Sequence, residues 1–259
     1  DRSWVRDSLP IFLKIKKNKK ILSNWEFNAW AKYKNFKKDN KTYLKIKNVT
    51  KIKIIKPKLK KKKIVLEGGS IDVNGNGLLL TTKQCLLSKI QQRNKGFKTK
   101  DYENIFKKFL GINRVIWLNN GIEGDDAHGH IDDIARFVSK NKIFIAKEFN
   151  KRDKNFKNLN ENLRILERYK NEDKKKFKII HIPMPKPKII KGVRVPASYL
   201  NFYIANGIVL VPTFNDPNDK IVLKIFEKHF KSRKIIPIDC SLLVWGFGTI
   251  HCLTQQEPL

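Results

Sequence analysis

The sequence predicts an α/β fold made of repeated strand–strand–helix–strand units. Three stretches each carry a hairpin pattern, then the spacing of an amphipathic helix, then a further apolar strand. Repetition of one supersecondary unit is typical of cyclic or stacked α/β assemblies, in which corresponding strand ends lie around a common axis. The chain of 259 residues is long enough to bury a substantial core. We expect residues 1–259 to form a single domain.

The first repeat begins with a hairpin over residues 71–82, whose turn has the sequence NGNG at 74–77. Asn-Gly between two apolar runs is a strong hairpin signal. Apolar residues at helical spacing predict a helix over 102–110, and Gly111 is a suitable C-terminal cap for it. A strand over 115–118 completes the unit.

Two further repeats follow the same order. The second repeat has predicted strands, helix and closing strand at 134–138, 143–146, 159–169 and 177–182. The third repeat has the corresponding elements at 200–205, 208–211, 219–230 and 235–238. The segment after it, residues 244–253, is expected to begin one more unit.

Ahead of the first repeat, residues 14–63 are dense in lysine. Apolar and basic residues alternate roughly over 43–49 and 51–54, which is the period of a strand with one solvent-exposed face. We therefore predict strands there and interpret the lysines as a solvated sheet face.

The formal net charge is +32. Such a charge suits a nucleic acid or another acidic surface as partner. Nucleic-acid-binding proteins, however, rely on arginine for bidentate contacts, and lysine far outnumbers arginine here. The abundance of lysine, isoleucine and asparagine also fits compositional drift toward A/T-rich codons. We do not expect nucleic acid as the partner, and binding through residues 14–63 is kept as the more distant alternative.

No apolar run reaches the roughly 18–20 residues that span a bilayer, so no membrane partner is expected. The odd number of cysteines without CxxC spacing indicates a reduced, cytoplasmic setting, and we interpret Cys85 and Cys240 as packing residues. A homo-oligomer is compatible with the sequence, which carries no direct signal for one. Core or interface positions are expected for Trp25, Trp30, Trp117 and Trp245.

Five polar segments interrupt the apolar pattern, at residues 1–7, 67–70, 124–133, 201–206 and 246–256. In the last of them, Cys252 follows a glycine-rich turn that permits close backbone approach. A cysteine on such a turn can act as a nucleophile if its thiolate is stabilised. The neighbouring His251 is expected only to pack or to hydrogen-bond locally.

His130 and Asp132 are two residues apart, which places both side chains on one face of an extended segment. A histidine beside a carboxylate can exchange protons near neutral pH. A metal site is the alternative, because His128 and Asp126 are further potential ligands. Their spacing matches no standard zinc pattern, so we expect no metal.

Asp7 and Glu67 are the remaining candidate carboxylates, and each alone would be a solvated or turn residue. Together with Cys252, His130 and Asp132 they suit attack on a guanidinium carbon. Carboxylates bind that planar cation through paired, charge-assisted hydrogen bonds and hold its carbon against the nucleophile. The expected partner is a small cationic guanidinium substrate.

Motifs distributed over nearly the whole chain resemble those of the agmatine deiminases, a family within the guanidino-modifying superfamily. They are WVRDSLP from Trp4, EFNAW from Glu26, EGGSIDVNGNG from Glu67, LLTT from Leu79, GDDAHGHIDDIARFV from Gly124, PASYLNFYIANGIVLVPTFNDPND from Pro196 and GFGTIHCLTQQEP from Gly246. The resemblance implies a pseudo-fivefold α/β propeller of ββαβ modules with the site at its axis. Relative to the family, this chain is expected to lack most of the first module, and it has Leu9 where glycine is usual.

The resemblance also implies roles for individual residues. Cys252 corresponds to the nucleophile and His130 to the general acid and base, while the implied substrate contacts are Asp7, Asp132, Glu67 and the aromatic wall Trp4. The implied reaction is hydrolysis of agmatine to N-carbamoylputrescine and ammonia through a covalent amidino-cysteine, without a metal or organic cofactor. Peptidyl-arginine or free arginine is the alternative substrate, and an arginine or lysine facing the outer pocket would favour it.

Overall fold

The computed structural model describes residues 2–15 and 19–258, and these residues contain four ββαβ modules. Each module is a three-stranded sheet whose first two strands are antiparallel and whose third strand is parallel to the second. A parallel pair cannot be joined by a tight turn, so the chain crosses over through a helix. The sequence had indicated only three of these modules. Asp1 of the first polar segment and residues 16–18 of the lysine-dense segment lie outside the described residues.

A short helix, α1 (Val5–Ser8), precedes the first module. The first module comprises β1 (Ile11–Lys14), β2 (Lys20–Ser23), α2 (Thr42–Thr50) and β3 (Ile54–Ile55). A small hairpin follows, formed by β4 (Lys58–Leu59) and β5 (Lys62–Lys63). The second module comprises β6 (Asp72–Val73), β7 (Leu78–Thr82), α3 (Lys83–Leu87), α4 (Thr99–Leu110) and β8 (Arg114–Leu118).

The last two modules repeat this order. The third comprises β9 (Ala135–Ser139), β10 (Lys142–Lys147), α5 (Asn155–Arg168) and β11 (Lys178–Pro183). After the hairpin of β12 (Lys188–Ile190) and β13 (Val193–Val195), the fourth comprises β14 (Tyr203–Ile204), β15 (Ile208–Thr213), α6 (Asn218–His229) and β16 (Lys234–Asp239). These bounds confirm the three repeats predicted from the sequence to within a few residues.

The prediction of a strand over residues 43–49 is wrong, because this segment forms α2. Its half-buried positions Tyr43, Ile46 and Thr50 recur at spacings of a helical turn, whereas Val49 is 81% exposed. The alternation of lysine and isoleucine therefore did not report a buried face. The helix supplies the crossover that the parallel pairing of β2 with β3 requires.

The expectation of a further unit over residues 244–253 is also wrong. The segment begins in a 3-10 helix, Leu243–Gly246, and continues through Phe247, whose φ of 64° is left-handed. The backbone N–H of His251 then donates to the carbonyl oxygen of Asn201 at 2.9 Å rather than to a strand neighbour. This irregular course carries Cys252 back toward the first residues of the chain.

An aromatic cluster packs the third module against the fourth. The ring centroid of Phe226 lies 5.0 Å from that of Phe144 and 5.0 Å from that of Phe202, both in edge-to-face arrangement. All three side chains are fully buried. Large aromatic rings contribute strongly to core stability through their buried area and their edge-to-face contacts. This cluster therefore fixes how the last two modules sit against each other.

A second core cluster fills the second module and contains Trp25, Tyr102 and Trp117. The core expectation is thus confirmed for Trp25 and Trp117, whereas Trp245 is 39% exposed. Among the described residues, no helix combines the length and apolarity needed to cross a bilayer.

We expect Phe226→Ala to lower the free energy of unfolding by about 3–5 kcal/mol, because it removes a ring that contacts two modules and leaves a cavity. Denaturant-induced unfolding followed by circular dichroism measures this change. Phe149→Ala is the matched control, since Phe149 is 63% exposed. Equal stability of the two variants would contradict the central role of the aromatic cluster.

Candidate active site

The strands that open the modules are each preceded by a polar segment, and these segments meet in the fold. Asp7 lies in α1 ahead of β1, and the 3-10 helix Gly68–Ser70 lies ahead of β6. The 3-10 helix Ile131–Asp133 precedes β9, and Asn201 precedes β14. Equivalent positions of a repeated module therefore present polar groups to one common centre.

Hydrogen bonds, together with the ion pair between His130 and Glu67, join these segments into a closed circuit, here called the central ring, which comprises residues 6–7, 67–69, 130–133, 201 and 251–252. The N–H of Gly69 donates to Asp7 Oδ1 at 2.9 Å, and Asn201 Nδ2 donates to Asp133 Oδ1 at 3.0 Å. The N–H of Arg6 donates to the carbonyl oxygen of Cys252 at 3.1 Å. The last contact joins the beginning of the described chain to its end.

A cavity of about 340 Å³ opens onto the central ring, and its lining includes Trp4, Asp7, His130 and Cys252. The remaining lining is rich in carboxylates and aromatic rings, among them Asp125, Asp126, Asp133, Trp30, Tyr33 and Phe247. A concave site with acidic groups and flat apolar walls is suited to a planar organic cation. We call it the active-site cavity.

Cys252 lies at the floor of this cavity with 8% of its surface exposed. Its Sγ accepts a hydrogen bond from Asn201 Nδ2 at 3.2 Å and lies 3.8 Å from Asp132 Oδ2. Burial and the charges of Asp132, Asp133 and Asp7 hold the pKa of the Cys252 thiol well above its usual range. Without a bound cation, the sulfur is therefore a neutral thiol.

The glycine-rich turn makes room for the aromatic wall. A Cβ on Gly246 would lie 2.6 Å from the ring of Trp4, and a Cβ on Gly248 would lie 3.0 Å from that ring and 3.2 Å from Cys252 Sγ. Glycine at both positions lets Trp4 lie directly beside the cysteine. The motif thus has a packing reason as well as a conformational one.

His130 is surrounded by acidic groups. Its Nδ1 lies 3.9 Å from Asp7 Oδ2 and 3.9 Å from Asp132 Oδ1, while its Nε2 lies 4.0 Å from Glu67 Oε2. Burial lowers the pKa of His130, but the charge of Asp7 together with Cys85 and Asp132 raises this pKa well above its usual value. The imidazole is therefore protonated near neutral pH and can donate a proton.

Asp7 is held rigidly at the wall of the cavity. Trp30 Nε1 donates to Asp7 Oδ2 at 2.9 Å, and the N–H of Gly69 fixes the other oxygen. A Cβ on Gly69 would lie 2.6 Å from His130 Nδ1, so only glycine lets the two side chains meet there. Each oxygen of Asp7 keeps a lone pair for a ligand.

Glu67 and Asp132 are fully buried beneath the cavity and are not among its lining residues. Arg93 Nε bonds Glu67 Oε1 at 2.9 Å, and His251 Nδ1 bonds Asp132 Oδ2 at 2.7 Å. Their other oxygens, Glu67 Oε2 and Asp132 Oδ1, face His130 at 4.0 and 3.9 Å but accept no hydrogen bond from the described residues. Burial and the charge of Asp7 raise the pKa of Asp132 to about 7, although His130 opposes the shift.

All six residues that the sequence singled out thus lie together, in two layers. Trp4, Asp7, His130 and Cys252 line the cavity, while Glu67 and Asp132 support it from below. The sequence assigned Glu67 a direct substrate contact, whereas the structure places its carboxylate between Arg93 and His130.

Sequence reasoning missed other residues of the site. Trp30 was assigned to the core or an interface, yet it anchors Asp7. Asn201, Asp133 and Arg93 were assigned no individual role, although Asn201 and Asp133 lie in two of the polar segments. The expectation that His251 bonds only locally is wrong, because its partner Asp132 is 119 residues away in the chain.

A metal could be sought at Glu67, Cys85 and His130, whose donor atoms lie within 4.8 Å of one another. The guanidinium of Arg93 already neutralises Glu67, and a protonated His130 repels a cation. These charges favour an ion-pair network over a metal centre. Since its Sγ lies within 4.8 Å of Glu67 and His130, Cys85 borders the site as well as packing in the core.

Arg2 is the arginine that lines the outer part of the cavity. Its Nη1 donates to Asp39 Oδ2 at 2.8 Å, and its Nη2 donates to Asn35 Oδ1 at 2.8 Å. The guanidinium is thus held by these neighbours at the rim of the cavity and its charge is offset by Asp39.

Known proteins of similar sequence and fold include agmatine deiminases. The agmatine deiminase of Pseudomonas syringae pv. tomato is 30% identical over 99% of this chain and 74% of its own length. An agmatine deiminase of C. jejuni, solved with substrate bound, has a TM-score of 0.85 at 30% identity, over 96% of this chain and 71% of the other. That of Enterococcus faecalis has a TM-score of 0.90 at 28% identity, over 98% and 74% of the two chains. Residues 1–258 match the sequence model of the Porphyromonas-type peptidyl-arginine deiminases, and the chain belongs to that family.

Proposed function

We propose that this chain hydrolyses agmatine to N-carbamoylputrescine and ammonia through a covalent amidino-cysteine at Cys252. One observation carries the proposal: a cysteine thiol, a protonated histidine and a fixed carboxylate line one acidic cavity. The relatives from Pseudomonas syringae and Enterococcus faecalis are agmatine deiminases, which supports the same reaction.

The guanidinium binds in the active-site cavity beside Asp7, with Trp4 as its flat wall, and lies above Asp132, which is beneath the cavity floor at 3.8 Å from Cys252 Sγ. A carbon in contact with Cys252 Sγ places the guanidinium N–H groups next to Asp132, because the sulfur is 3.8 Å from Asp132 Oδ2. The unpaired Asp132 Oδ1 can then accept a hydrogen bond from the ligand. This arrangement orients the carbon for attack before any bond forms.

Binding of the cation also activates the nucleophile. The acidic surroundings that keep Cys252 protonated in the empty site are neutralised when a guanidinium occupies it. The thiol releases its proton to solvent water, and the sulfur of the resulting thiolate attacks the central guanidinium carbon. His130 gives its proton to the departing nitrogen, the C–N bond breaks, and ammonia leaves.

The same histidine serves the second half of the reaction. Neutral His130 takes a proton from water, and the resulting hydroxide attacks the amidino carbon. The C–S bond then breaks and the hydroxyl proton of the adduct passes to the departing sulfur, which releases N-carbamoylputrescine and restores the Cys252 thiol. Glu67, 4.0 Å from His130 Nε2, stabilises the protonated imidazole before the first step and again once His130 has taken a proton from water.

The net charge of +32 does not oppose a cationic substrate, because the carboxylates at the cavity act locally. At physiological ionic strength the Debye length is ~8 Å, so lysines farther away are largely screened. Agmatine is favoured over free arginine and peptidyl-arginine because Arg2, the arginine at the cavity rim, is already bound to Asp39 and Asn35. A substrate carboxylate would have to compete with Asp39 for it.

We further propose that the chain acts as a single catalytic domain, since the central ring draws residues from every module. A cytoplasmic location is consistent with three cysteines that are all free thiols.

Cys252→Ser should abolish ammonia release from agmatine, by more than about a thousandfold, because a hydroxyl is a far weaker nucleophile than a thiolate. A coupled ammonia assay measures the rate, and calorimetry shows that agmatine still binds. Cys240→Ala is the control, since Cys240 is buried away from the cavity and should leave turnover unchanged. Normal turnover by Cys252→Ser would refute the mechanism, and faster ammonia release from arginine or an arginyl peptide would reassign the substrate.

Asp7→Asn should raise the KM for agmatine by about 10- to 100-fold, because it removes the charge from a hydrogen bond to a cation. Asp126→Asn is the matched control, as Asp126 lines the same cavity but pairs with Lys32 and with Tyr33 OH. Steady-state kinetics on both variants give the comparison. A larger effect at Asp126 would move the guanidinium to the outer part of the cavity.

The affinity of Cys252→Ser for agmatine should increase as the pH rises through about 7, the pKa of Asp132, because only the ionised carboxylate attracts the cation. The serine variant removes the titrating thiol from the measurement. Calorimetric titrations at a series of pH values test this dependence. An affinity that stays constant across neutral pH would show that Asp132 does not contact the guanidinium as a titrating group.

A further inference from the structure

A second cavity, of about 380 Å³, lies on the opposite side of the central ring from the active-site cavity. Neighbouring residues of the ring face the two sides alternately. Asp7 and Cys252 line the active-site cavity, whereas Arg6 and His251 line the second one. We call the second space the back cavity.

The size and walls of the back cavity resemble those of a ligand site. Cavities that hold small molecules measure about 300–1,000 Å³ and are mainly apolar with a few polar groups. Here the apolar walls come from all four modules, through Phe12, Ile71, Phe137 and Ile204 among others. The polar side chains that face the cavity include two buried arginines.

Arg136 is the better placed of these arginines, and it is 6% exposed. Its Nε bonds Asp72 Oδ1 at 2.7 Å, and its Nη1 donates to the carbonyl oxygens of Leu200 and Phe202 at 3.1 Å each. Its Nη2 has no hydrogen-bond partner among the described residues. The guanidinium is thus held in place on one side while one nitrogen is left to donate to a ligand.

The charge of the back cavity favours an anion. Arg6 and Arg136 both line it, and Asp72 is the carboxylate among its lining residues. The two guanidinium groups repel each other: burial and the charge of Arg136 lower the pKa of Arg6 to about 10, although the charges of Asp132 and Asp7 oppose this shift. Arg6 is held by Gln255 Oε1 at 2.6 Å, a neutral acceptor that does not offset its charge. A bound anion would relieve this repulsion.

We propose that the back cavity is a second binding site of this chain, for a small carboxylate with an apolar body. Arg136 holds the carboxylate through Nη2, Arg6 adds a second positive charge, and the apolar walls take the hydrocarbon part. The site is separate from the catalytic one, because the central ring divides the two cavities.

Hexanoate is the probe, and calorimetry on the full chain is the measurement. We expect saturable binding of hexanoate, with hexanamide weaker by about tenfold or more because it lacks the charge that the arginines recognise. Butyrate should bind more weakly than hexanoate, since it buries less apolar surface. The affinity for hexanoate should be the same in Cys252→Ser saturated with agmatine. Absence of saturable binding, equal affinity for hexanamide, or competition with agmatine would each overturn the proposal and leave the arginines a structural role alone.

Two variants locate the binding. Arg136→Met should remove the preference for hexanoate over hexanamide, whereas Arg164→Met, an exposed arginine on α5, should keep it. Because Arg136 also contacts residues of other modules, Val73→Trp is a second variant that leaves the core intact. Val73 lines the back cavity and is 45% exposed. A tryptophan ring at this position should block binding of hexanoate and of hexanamide alike. Val49→Trp, at a position 81% exposed on α2, is its control. Undiminished binding to Val73→Trp would place the hexanoate elsewhere and refute the proposal.

Discussion

The closure of the central ring is the constraint on which the site depends. Its last link joins residues at opposite ends of the chain: Arg6 N–H to the carbonyl of Cys252, and Arg6 Nη1 to Gln255 and Gln256 at 2.6 and 2.5 Å. Closing so long a loop costs conformational entropy, but that cost grows only slowly with loop length. Folding of the modules between the two ends offsets most of this entropy cost, because each module folds around its own sheet and packs against the next. Cys252 reaches its acidic neighbours only when all of them are in place.

The second constraint is electrostatic. Asp7, Glu67, Asp132 and Asp133 lie close together with little exposure to solvent, which would be costly if all were ionised and unpaired. Positive partners are therefore arranged around them: Arg93 on Glu67, and His130 between Asp7 and Asp132. The remaining cost appears as raised pKa values for Asp132, Asp133 and Cys252. A guanidinium ligand supplies the missing positive charge, so substrate binding and activation of the thiol have one physical cause.

Much of the fold could be predicted where local signals agree with the tertiary structure. The NGNG turn, the amphipathic pattern of α4 and the left-handed Gly111 were each read correctly because they depend on neighbouring residues only. The first module was missed because β3 has two residues and α2 buries none of its side chains fully. A helix with so weak a buried stripe resembles an alternating strand, and only the pairing of β2 with β3 decides between them.

The sequence by itself determined the chemistry of the site: a cysteine on a glycine-rich turn, a histidine and three carboxylates, in motifs that resemble one family. It could not determine which groups face the substrate, because side-chain direction at an irregular turn follows from contacts with distant segments. The tertiary structure decided that Asp7 lines the cavity while Glu67 supports His130 from below, that Trp30 anchors Asp7, and that His251 bonds Asp132. The two residues of each such pair are between 23 and 119 positions apart along the chain, so no local sequence pattern identifies them.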